Sequence, residues 1–346
     1  MQMEAVVMSR FGGPDVLEYR TVEAPAPGPG DVLVRIDAVS VNRSFDINAR
    51  QGKSPFKLAL PLILGVDPTG TIADVGSGVD RGRIGEPVFV SITAHCGVCD
   101  ECRARRPCGA ARRIGVAAPG GYAQYICVPA FQARSIPKGL DAGEATVIGR
   151  HAEAAWSEIA CADVKPGEHV LVMGAAGALG SFLIQLAKLK GATVIAVASS
   201  EERLAFCRDL GADHGINYRA DSITERAAEL TRGAGVDVVF ENVSDPATFP
   251  QAFESLGRGG RLLTIGYHGG SVVPVDMQRL FWNQLTIRSA PMWLPGANAF
   301  ERCFDLAVAG KLRASVGARF PLRDAADAHR LVEAGGVNGK VIIEPH

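Results

Sequence analysis

The segment from residue 169 to residue 200 constrains the fold of this chain more than any other stretch. An apolar run at 170–172 leads into a glycine- and alanine-rich turn, and apolar residues then recur at helical spacing from Leu179 to Ala187. A second apolar run at 193–197 follows the helix. This succession predicts a strand, a turn, a helix and a second strand, which together form the first unit of a parallel α/β sheet.

Three glycines in the turn point to a bound dinucleotide. Gly174, Gly177 and Gly180 allow a tight turn and let a pyrophosphate approach the helix N-terminus, where unpaired N–H groups and the helix dipole favour an anion. The flanking strand and helix distinguish this pattern from a plain strand–helix turn, the alternative for an isolated glycine triplet. The residues predicted to cradle the phosphates are Gly174, Ala175, Ala176, Gly177, Ala178 and Leu179.

The rest of the chain divides into two regions of different character. Short apolar runs separated by Gly/Pro turns fill residues 1–90 and predict a compact β-barrel. After about residue 141 strands and helices alternate instead, which predicts a doubly wound α/β sheet. Because 346 residues exceed what one average core holds, two domains are expected.

Composition excludes several classes of function. The formal net charge is −1, which offers no general attraction to nucleic acid or to anionic membranes. Apolar residues make up 47% of the chain, yet no uninterrupted apolar stretch is long enough to span a membrane. The N-terminus lacks the apolar core of a signal peptide, so we expect a cytoplasmic protein.

Four of the eight cysteines lie close together in the segment 91–113, which is also rich in arginine. Cys96, Cys99, Cys102 and Cys108 have the spacing C-x2-C-x2-C-x5-C. Clustered cysteines in a cytosolic chain favour a metal over disulfides, and four thiolates close a tetrahedral zinc shell with no open position. The pattern therefore predicts one structural zinc per chain; the alternative is a reduced cysteine loop that has lost its metal.

Six motifs spread along the chain carry a family resemblance: GPGDVLVRIDAVSVN, LPLILGVDPTGTI, CGVCDEC, VKPGEHVLVMGAAGALG, LGADHGINY and GKVIIE. They resemble the medium-chain dehydrogenase/reductase superfamily, in its zinc-type alcohol dehydrogenase-like and quinone oxidoreductase branch. The resemblance implies a GroES-like catalytic domain from residues 1–150 and 293–346, with the zinc lobe at 91–113. It further implies a Rossmann dinucleotide-binding domain at 151–292. The family's zinc lobe usually has seven residues before its fourth cysteine and this chain has five, so either the shortened loop still reaches the metal or Cys108 is not a ligand.

The end of the second Rossmann strand indicates which dinucleotide is bound. NAD-preferring members of the family place an acidic residue there for the ribose 2′-OH, whereas this chain has Ala198, Ser199 and Ser200, with Arg203 one helical turn later. Small hydroxyls and a guanidinium suit a 2′-phosphate, so we predict NADPH. The alternative is that Arg203 is an ordinary residue on the helix surface.

Further cofactor contacts are implied by the resemblance alone. Tyr218, at the end of the third strand, corresponds to a position near the adenosine phosphate, and Arg43 to one that reaches the pyrophosphate. The positions implied along the nicotinamide half are Asn242, Val243, Ile265, Gly266, Tyr267, Met292 and Lys340.

The resemblance also indicates a metal site that this chain has lost. Zinc-using members take their catalytic ligands from a Cys-x-[Ser/Thr]-Asp motif, a Gly-His-Glu motif and a cysteine ahead of the Rossmann domain. Here these segments read Asn42-Arg43-Ser44, Gly65-Val66-Asp67 and IGRHAEAAW. All three customary ligands are replaced, so no catalytic zinc is expected. A site rebuilt around His151 and Asp67 is the alternative.

Loss of the catalytic zinc favours a different reaction from alcohol oxidation, because the metal is what lowers the pKa of the alcohol. Metal-free members that this chain resembles are NADPH-dependent reductases of quinones or of C=C bonds conjugated to a carbonyl. The candidate catalytic residues are Asn42 and Ser44, as hydrogen-bond donors to the acceptor, and His151, as a proton donor. Turn capping by Asn42 and a plain helix-start role for His151 are the alternatives. An extra residue, Phe45, leaves the register uncertain by one position.

Two rival functions remain open from the sequence. One is an alcohol or aldehyde dehydrogenase of the same superfamily; the other is a non-catalytic protein that senses nucleotides or binds nucleic acid. The basic cysteine lobe supports the second only slightly, because no aromatic residues are interleaved with its arginines. The resemblance implies two partners. One is a small carbonyl or quinone substrate; the other is a second copy of the chain, because in relatives the strand near LTIRSA pairs across a two-fold interface.

Overall fold

The chain forms two units, the first made of residues Met1–Arg150 and Val316–His346 and the second of residues His151–Ser315. The structure is a computed structural model that describes residues 1–94, 99–104, 106, 108, 111–290 and 298–346. The units divide after Arg150 and again at Val316, whereas the domains proposed from the sequence divide at residues 150 and 293.

The first unit is mostly β-structure, as the closely spaced short runs predicted. Its main sheet has the order β10-β6-β5-β3-β18-β17, with β9 also pairing with β3; β2-β1-β4 and β7-β8 form two small sheets. The strands are β1 (Gln2–Met8), β2 (Leu17–Glu23), β3 (Asp31–Ser40), β4 (Leu62–Ile63), β5 (Thr69–Val75), β6 (Pro87–Val90), β7 (Thr93–Ala94), β8 (Arg112–Arg113), β9 (Tyr125–Pro129), β10 (Ala133–Ser135), β17 (Val316–Pro321) and β18 (Lys340–Glu344).

The C-terminal tail completes the sheet of the first unit. Strand β18 pairs antiparallel with β3 through Ile342↔Ser40 and Ile343↔Val39, and β17 runs parallel to β18. Apolar residues of β3 and β18 are buried in the same core. The helices of this unit are α1 (Asn48–Arg50), α2 (Asp100–Arg103), α3 (Ala142–Val147) and α11 (Ala325–Ala334), and a π-helix covers Arg43–Ile47.

The second unit is a doubly wound parallel sheet, which confirms the predicted fold class. The strand order β13-β12-β11-β14-β15-β16 reverses direction between β11 and β14, and ligands bind at such a switch point outside the carboxyl ends of the strands. The strands are β11 (His169–Val172), β12 (Thr193–Ala198), β13 (His214–Asn217), β14 (Val236–Phe240), β15 (Leu256–Thr264) and β16 (Thr286–Ser289).

Helices cover the sheet of the second unit. They are α4 (Glu153–Ala162), α5 (Ala178–Leu189), α6 (Glu201–Asp209), α7 (Ile223–Leu230), α8 (Phe249–Glu254), α9 (Met277–Trp282) and α10 (Ala299–Val308), and a further π-helix covers Ile148–Ala152. The apolar positions that predicted α5, among them Phe182, Leu183 and Leu186, are buried.

Helix α10 lies between residue 293 and Val316 and belongs to the second unit. Phe300, Cys303 and Phe304 are buried on this helix, and it packs against α4 of the same unit. Helix α10 is therefore part of the second core. None of the helices in the described part of the chain is long and apolar enough to cross a membrane.

Candidate functional site

The glycine-rich turn lies between β11 and α5 and has the geometry of a phosphate cradle. Gly174 adopts a positive φ of 59°. A Cβ on Gly180 would lie 2.5 Å from the Gly174 carbonyl oxygen and 2.7 Å from Ala175 Cα, so only glycine allows this close packing. Gly177 is the N-cap of α5 and brings no side chain to the exposed N–H groups. The twelve-residue helix therefore presents an open N-terminus that fits an anionic pyrophosphate.

The predicted adenosine-phosphate residues lie at the carboxyl ends of β12 and β13. Ser200 is the N-cap of α6, and its Oγ accepts from the Arg203 backbone N–H at 3.3 Å. Ser199, Ser200 and Arg203 are half-buried, and Tyr218 is exposed directly after β13. The Tyr218 N–H donates to the carbonyl of Ala198, which brings these residues to one edge of the sheet.

Residues predicted to line the nicotinamide half meet at the carboxyl ends of β14 and β15. The Ile265 N–H donates to Asn242 Oδ1 at 2.7 Å. A Cβ on Gly266 would lie 2.2 Å from the Asn242 carbonyl oxygen, so the two strand ends are in close contact. Val243 is half-buried and Tyr267 is 59% exposed. Met292, the remaining second-unit residue predicted for this half, lies outside the described residues.

A buried glutamate that sequence reasoning missed contacts this group. Glu158 lies on α4 with no exposed surface, and its Oε2 accepts from Asn242 Nδ2 at 2.8 Å. Burial, with a smaller contribution from the nearby Glu241 carboxylate, raises the pKa of Glu158 to about 8, although the hydrogen bond from Asn242 opposes the shift. The signal in the sequence was its spacing: Glu158 follows Ala154 and Ala155 by four and three residues, on the apolar face of the helix.

The first unit contains a second buried polar network, centred on Asn42. Lys340 Nζ donates to Asn42 Oδ1 at 2.7 Å and to the Val41 carbonyl at 2.8 Å. Asn42 Nδ2 donates to Asp67 Oδ2 at 2.9 Å and to Ser40 Oγ at 3.2 Å. Lys340 is thus engaged with residues of its own unit in this structure. The amide of Asn42 links an ammonium to a carboxylate.

Asp67 is held by three donors at the end of this network. Its Oδ2 accepts from Ser40 Oγ at 2.5 Å as well as from Asn42, and its Oδ1 accepts from the Ser40 N–H at 3.0 Å. Both oxygens therefore have partners inside the protein. The sequence identified Asp67 but gave no sign of the side chains that would satisfy it.

The extra residue near Asn42 is accommodated by a π-helix. A π-turn takes one residue more than an α-turn, and the segment Arg43–Ile47 has this form. Asp46 then points inward, where it accepts from the backbone N–H groups of Asn42 and Gly65 at 2.8 and 2.9 Å. Burial, together with the Asp67 charge, raises the pKa of Asp46 to about 7. Burial also lowers the pKa of Lys340 to about 8, although both aspartates oppose this shift.

The other predicted residues of this region have varied surroundings. Arg43 is exposed, and its guanidinium donates to the carbonyls of Val332 and Glu333. Ser44 is half-buried at the start of the π-helix. His151 is the first residue of the second unit, so the three predicted catalytic residues are divided between the units.

The Asn42 network does not fit a catalytic divalent cation. Asn42 already binds Lys340, Val66 has no donor atom, and both oxygens of Asp67 accept hydrogen bonds. A buried ammonium beside these groups would repel a second cation. No step of the reaction is therefore assigned to a metal here.

The cysteine lobe fits a thiolate-bound metal. The Sγ atoms of Cys99, Cys102 and Cys108 all lie within 4.8 Å of one another, and those of Cys99 and Cys108 are 3.8 Å apart. The shortened loop before Cys108 therefore reaches the cluster. Cys96, the fourth predicted ligand, lies outside the described residues. Three converging thiols are a donor set that zinc prefers.

Comparison with known proteins places these features in one family. Residues 28–138 match the model of the alcohol dehydrogenase GroES-like domain, and residues 178–308 match the zinc-binding dehydrogenase model. A 2-haloacrylate reductase of Burkholderia sp. is 30% identical over 355 residues, covering 99% of this chain and 98% of the relative.

Two solved structures illustrate the range of relatives. An NAD-dependent alcohol dehydrogenase is 34% identical with a TM-score of 0.89, over 99% of this chain and 100% of the other. A protein from Sinorhizobium meliloti 1021 with bound NADP is 27% identical with a TM-score of 0.88, over 100% of both chains.

The fold and these similarities define a nicotinamide-dependent oxidoreductase with a GroES-like and a Rossmann domain. The chain belongs to the medium-chain dehydrogenase/reductase superfamily.

Proposed function

We propose that this protein is an NADPH-dependent reductase of quinones or of C=C bonds conjugated to a carbonyl, acting without catalytic zinc. The observation that carries the proposal is the network of Lys340, Asn42 and Asp67. It occupies the segments that the resemblance assigns to the catalytic ligands of zinc-using members. A metal-free site suits an acceptor that is already electrophilic. The 2-haloacrylate reductase, by its name, acts on a substrate of the C=C kind.

The reduced nicotinamide supplies the hydride, and the protein orients the acceptor and stabilises the charge that develops on its oxygen. Of the predicted donors in the first unit, Ser44 is the better candidate. Within the described part of the chain its hydroxyl has no hydrogen-bond partner, whereas both N–H groups of the Asn42 amide are engaged. We assign Asn42 the role of holding Asp67 and Lys340 in place. His151 remains the candidate proton donor of the second unit.

The choice of NADPH over NADH rests on the residues after β12. No carboxylate ends this strand, Arg203 stands one turn into α6, and Glu201 and Glu202 are exposed. The N-capping bond of Ser200 fixes the start of α6, and with it the backbone position of Arg203. A guanidinium placed there would attract the 2′-phosphate.

A kinetic comparison tests the cofactor assignment. Arg203→Gln should raise the KM for NADPH about tenfold or more and leave the KM for NADH unchanged, since a charge-assisted bond is worth about 1.5–3 kcal/mol. Arg208→Gln, on the exposed side of the same helix, is the matched control. A wild-type enzyme that accepts only NADH would overturn the assignment.

Alcohol oxidation is the second candidate, because an alcohol dehydrogenase is similar over the whole chain. A screen of NADPH oxidation over quinones, enones and enoyl thioesters separates the two candidates. Turnover of one of these acceptor classes supports the proposal. Alcohol oxidation with NAD that chelators abolish would support the rival. Cofactor binding without turnover of any acceptor would indicate a nucleotide sensor.

We further propose that the cysteine lobe binds one structural zinc and that the chain forms a homodimer through β16. All four residues of β16 are exposed, and among the described strands it pairs only with β15. Phe281 and Trp282 on the neighbouring α9 are also largely exposed. An edge strand flanked by exposed aromatic residues is a natural surface for a second copy.

A further inference from the structure

The buried carboxyl of Glu158 is incompletely satisfied, and this deficit indicates its chemical state. Asn242 Nδ2 is bonded to Oε2, while Oε1 is buried with no hydrogen-bond partner in the described part of the chain. A buried carboxylate with a single donor leaves most of its charge uncompensated, whereas a neutral carboxylic acid accepts at its carbonyl oxygen and leaves only one O–H group, here at Oε1, without an acceptor; the neutral form is the less costly of the two. The geometry therefore favours the protonated acid, and the raised pKa of Glu158 agrees with it.

Glu158 is linked through one side chain to the backbone beside the predicted nicotinamide contacts. Asn242 donates to Glu158 through Nδ2 and accepts the Ile265 N–H through Oδ1. The orientation of the Asn242 amide is thereby fixed at both ends. Helix α4 is thus connected to the ends of β14 and β15, on the side of the switch point away from β12 and β13. The adenosine residues lie at the other end of the sheet.

Other charged groups lie on the elements that pack against α4, and several of them interact with residues other than Glu158. Helix α4 packs against α5, α10 and β15. On α5, Lys188 binds Asp213; on β15, Arg261 binds Glu168; on α10, Arg302 lies 5.9 Å above the Trp156 ring. The remaining charged groups on these elements are Arg258 on β15 and Glu301 and Asp305 on α10. The charged group that shifts the Glu158 pKa is instead Glu241, directly after β14.

We propose that Glu158 is a positioning residue for the nicotinamide half of the cofactor, acting through Asn242 on the backbone of Ile265. Its neutral acid accepts from Asn242 and so keeps the ends of β14 and β15 in the arrangement that receives the nicotinamide. When Glu158 ionises, Oε1 carries buried charge with no donor, so water must reach it and the packing that holds α4 beside the Asn242 amide is disturbed, although the bond from Asn242 itself favours the carboxylate. This inference rests on the proposed binding of a nicotinamide dinucleotide.

Two ligands that differ only in the nicotinamide test the proposal. Dissociation constants are measured by calorimetry between pH 7 and 9.5 for NADPH and for 2′-phospho-ADP-ribose, which lacks the nicotinamide. In the wild-type protein the constant for NADPH should rise about two- to tenfold over this range, the equivalent of one hydrogen bond. The constant for 2′-phospho-ADP-ribose should stay flat.

Two variants test whether Glu158 is the group responsible for this pH dependence. Glu158→Gln keeps the acceptor for Asn242 without titrating, so the constant for NADPH should become independent of pH. Glu158→Ala removes the acceptor. It should weaken the binding of NADPH at every pH and leave the binding of 2′-phospho-ADP-ribose unchanged. Glu225→Gln, exposed on α7, is the matched control. The Gln variant is nearly isosteric and checks the result should the Ala variant fail to fold.

Three results would overturn the proposal: a pH dependence that persists in Glu158→Gln, an equal pH dependence for both ligands, or no pH dependence in the wild type. Failure of both ligands to bind would instead reject the proposed cofactor, and this inference with it. Binding of both ligands without turnover of any acceptor leaves the positioning role standing while rejecting the reductase.

Discussion

Lys340 is the residue that most distinguishes the first unit from a zinc-binding site. The residue is 8% exposed, and its ammonium donates to Asn42 Oδ1 and to the Val41 carbonyl. Through Asn42 it is connected to Asp67, so two buried opposite charges share a neutral amide between them. A buried ion that loses its partner is costly, because the remaining charge cannot return to water.

Replacement of Lys340 should therefore destabilise the first unit. Lys340→Met leaves two buried acceptors and Asp67 without the compensating charge, and we expect a loss of about 3–5 kcal/mol in the free energy of unfolding. Urea denaturation followed by far-UV circular dichroism measures it, because all three tryptophans belong to the second unit and their fluorescence would not report on the first. Lys138→Met, at an exposed position, should change stability by less than about 0.5 kcal/mol. Equal effects of the two substitutions would contradict this account of the network.

Glu158 should also make stability depend on pH. The folded state raises its pKa to about 8 from an ordinary value of 4.5, so between these values the folded protein holds a proton that the unfolded chain releases. The contribution of this group to the free energy of unfolding is therefore fully present below about pH 4.5, and it is lost as the pH rises toward 8.

The same variant used for cofactor binding tests this linkage without any ligand. Glu158→Gln removes the titration, so its melting temperature should exceed that of the wild type at pH 9 and approach it at pH 5. Differential scanning calorimetry at both values provides the comparison. A difference between variant and wild type that is the same at both pH values would argue against the raised pKa.

For single residues, the sequence predicted which side chains belong to the site better than it predicted their hydrogen-bond partners. Asn42, Asp67 and Lys340 could each be singled out, because the motifs around them resemble those of the family. That they form one chain of hydrogen bonds depends on β3 and β18 becoming neighbours, although residues 42 and 340 are far apart in sequence. Glu158 was missed because a lone glutamate in a helix is usually exposed.

The π-helix at Arg43–Ile47 is the element that adapts the first unit to its unusual sequence. Such helices are rare. Here the extra residue is Phe45, and the Arg150 guanidinium lies 5.1 Å from the centre of its ring. The insertion was visible in the sequence as an uncertainty of register. How the protein accommodates the insertion could not be predicted, because local spacing alone does not show whether a loop or a wider helical turn contains the extra residue.

Deletion of Phe45 should be more damaging than its truncation. Removing one residue rotates the following helical positions by about 100°, which would withdraw Asp46 from the N–H groups of Asn42 and Gly65. Phe45→Ala keeps the register and loses only the ring contact, at a cost of about 0.5–1 kcal/mol. Urea midpoints of the two variants should therefore differ clearly. Equal midpoints would show that the π-turn does not set the position of Asp46.

The fold class of the whole molecule was predicted, because strand–helix alternation and the glycine-rich turn indicate a doubly wound parallel sheet. Helix α10 gives no sequence signal of the core to which it belongs, so a division at Val316 could not be derived from the sequence. Likewise, the four-cysteine spacing predicted a cluster but could not show that the shortened loop still brings Cys108 to Cys99.

Association through β16 is a prediction for the whole molecule. Ile287→Lys places a charge in the middle of the exposed edge strand and should convert the dimer to a monomer at micromolar concentration. Val308→Lys, on α10, substitutes an exposed apolar residue away from this edge and serves as the control. Sedimentation velocity distinguishes the species. A wild-type monomer, or a dimer that survives Ile287→Lys, would contradict the proposed interface.

The central claim is that hydride transfer here needs no catalytic metal. Its most direct test combines a zinc count by mass spectrometry with turnover of the same preparation, using NADPH with an enone or quinone and NAD with a simple alcohol. The account predicts no more than one zinc per chain, located in the cysteine lobe and reduced by Cys108→Ser, and NADPH oxidation that a chelator acting on exposed metal does not inhibit. Two zinc ions per chain together with chelator-sensitive alcohol oxidation would contradict it.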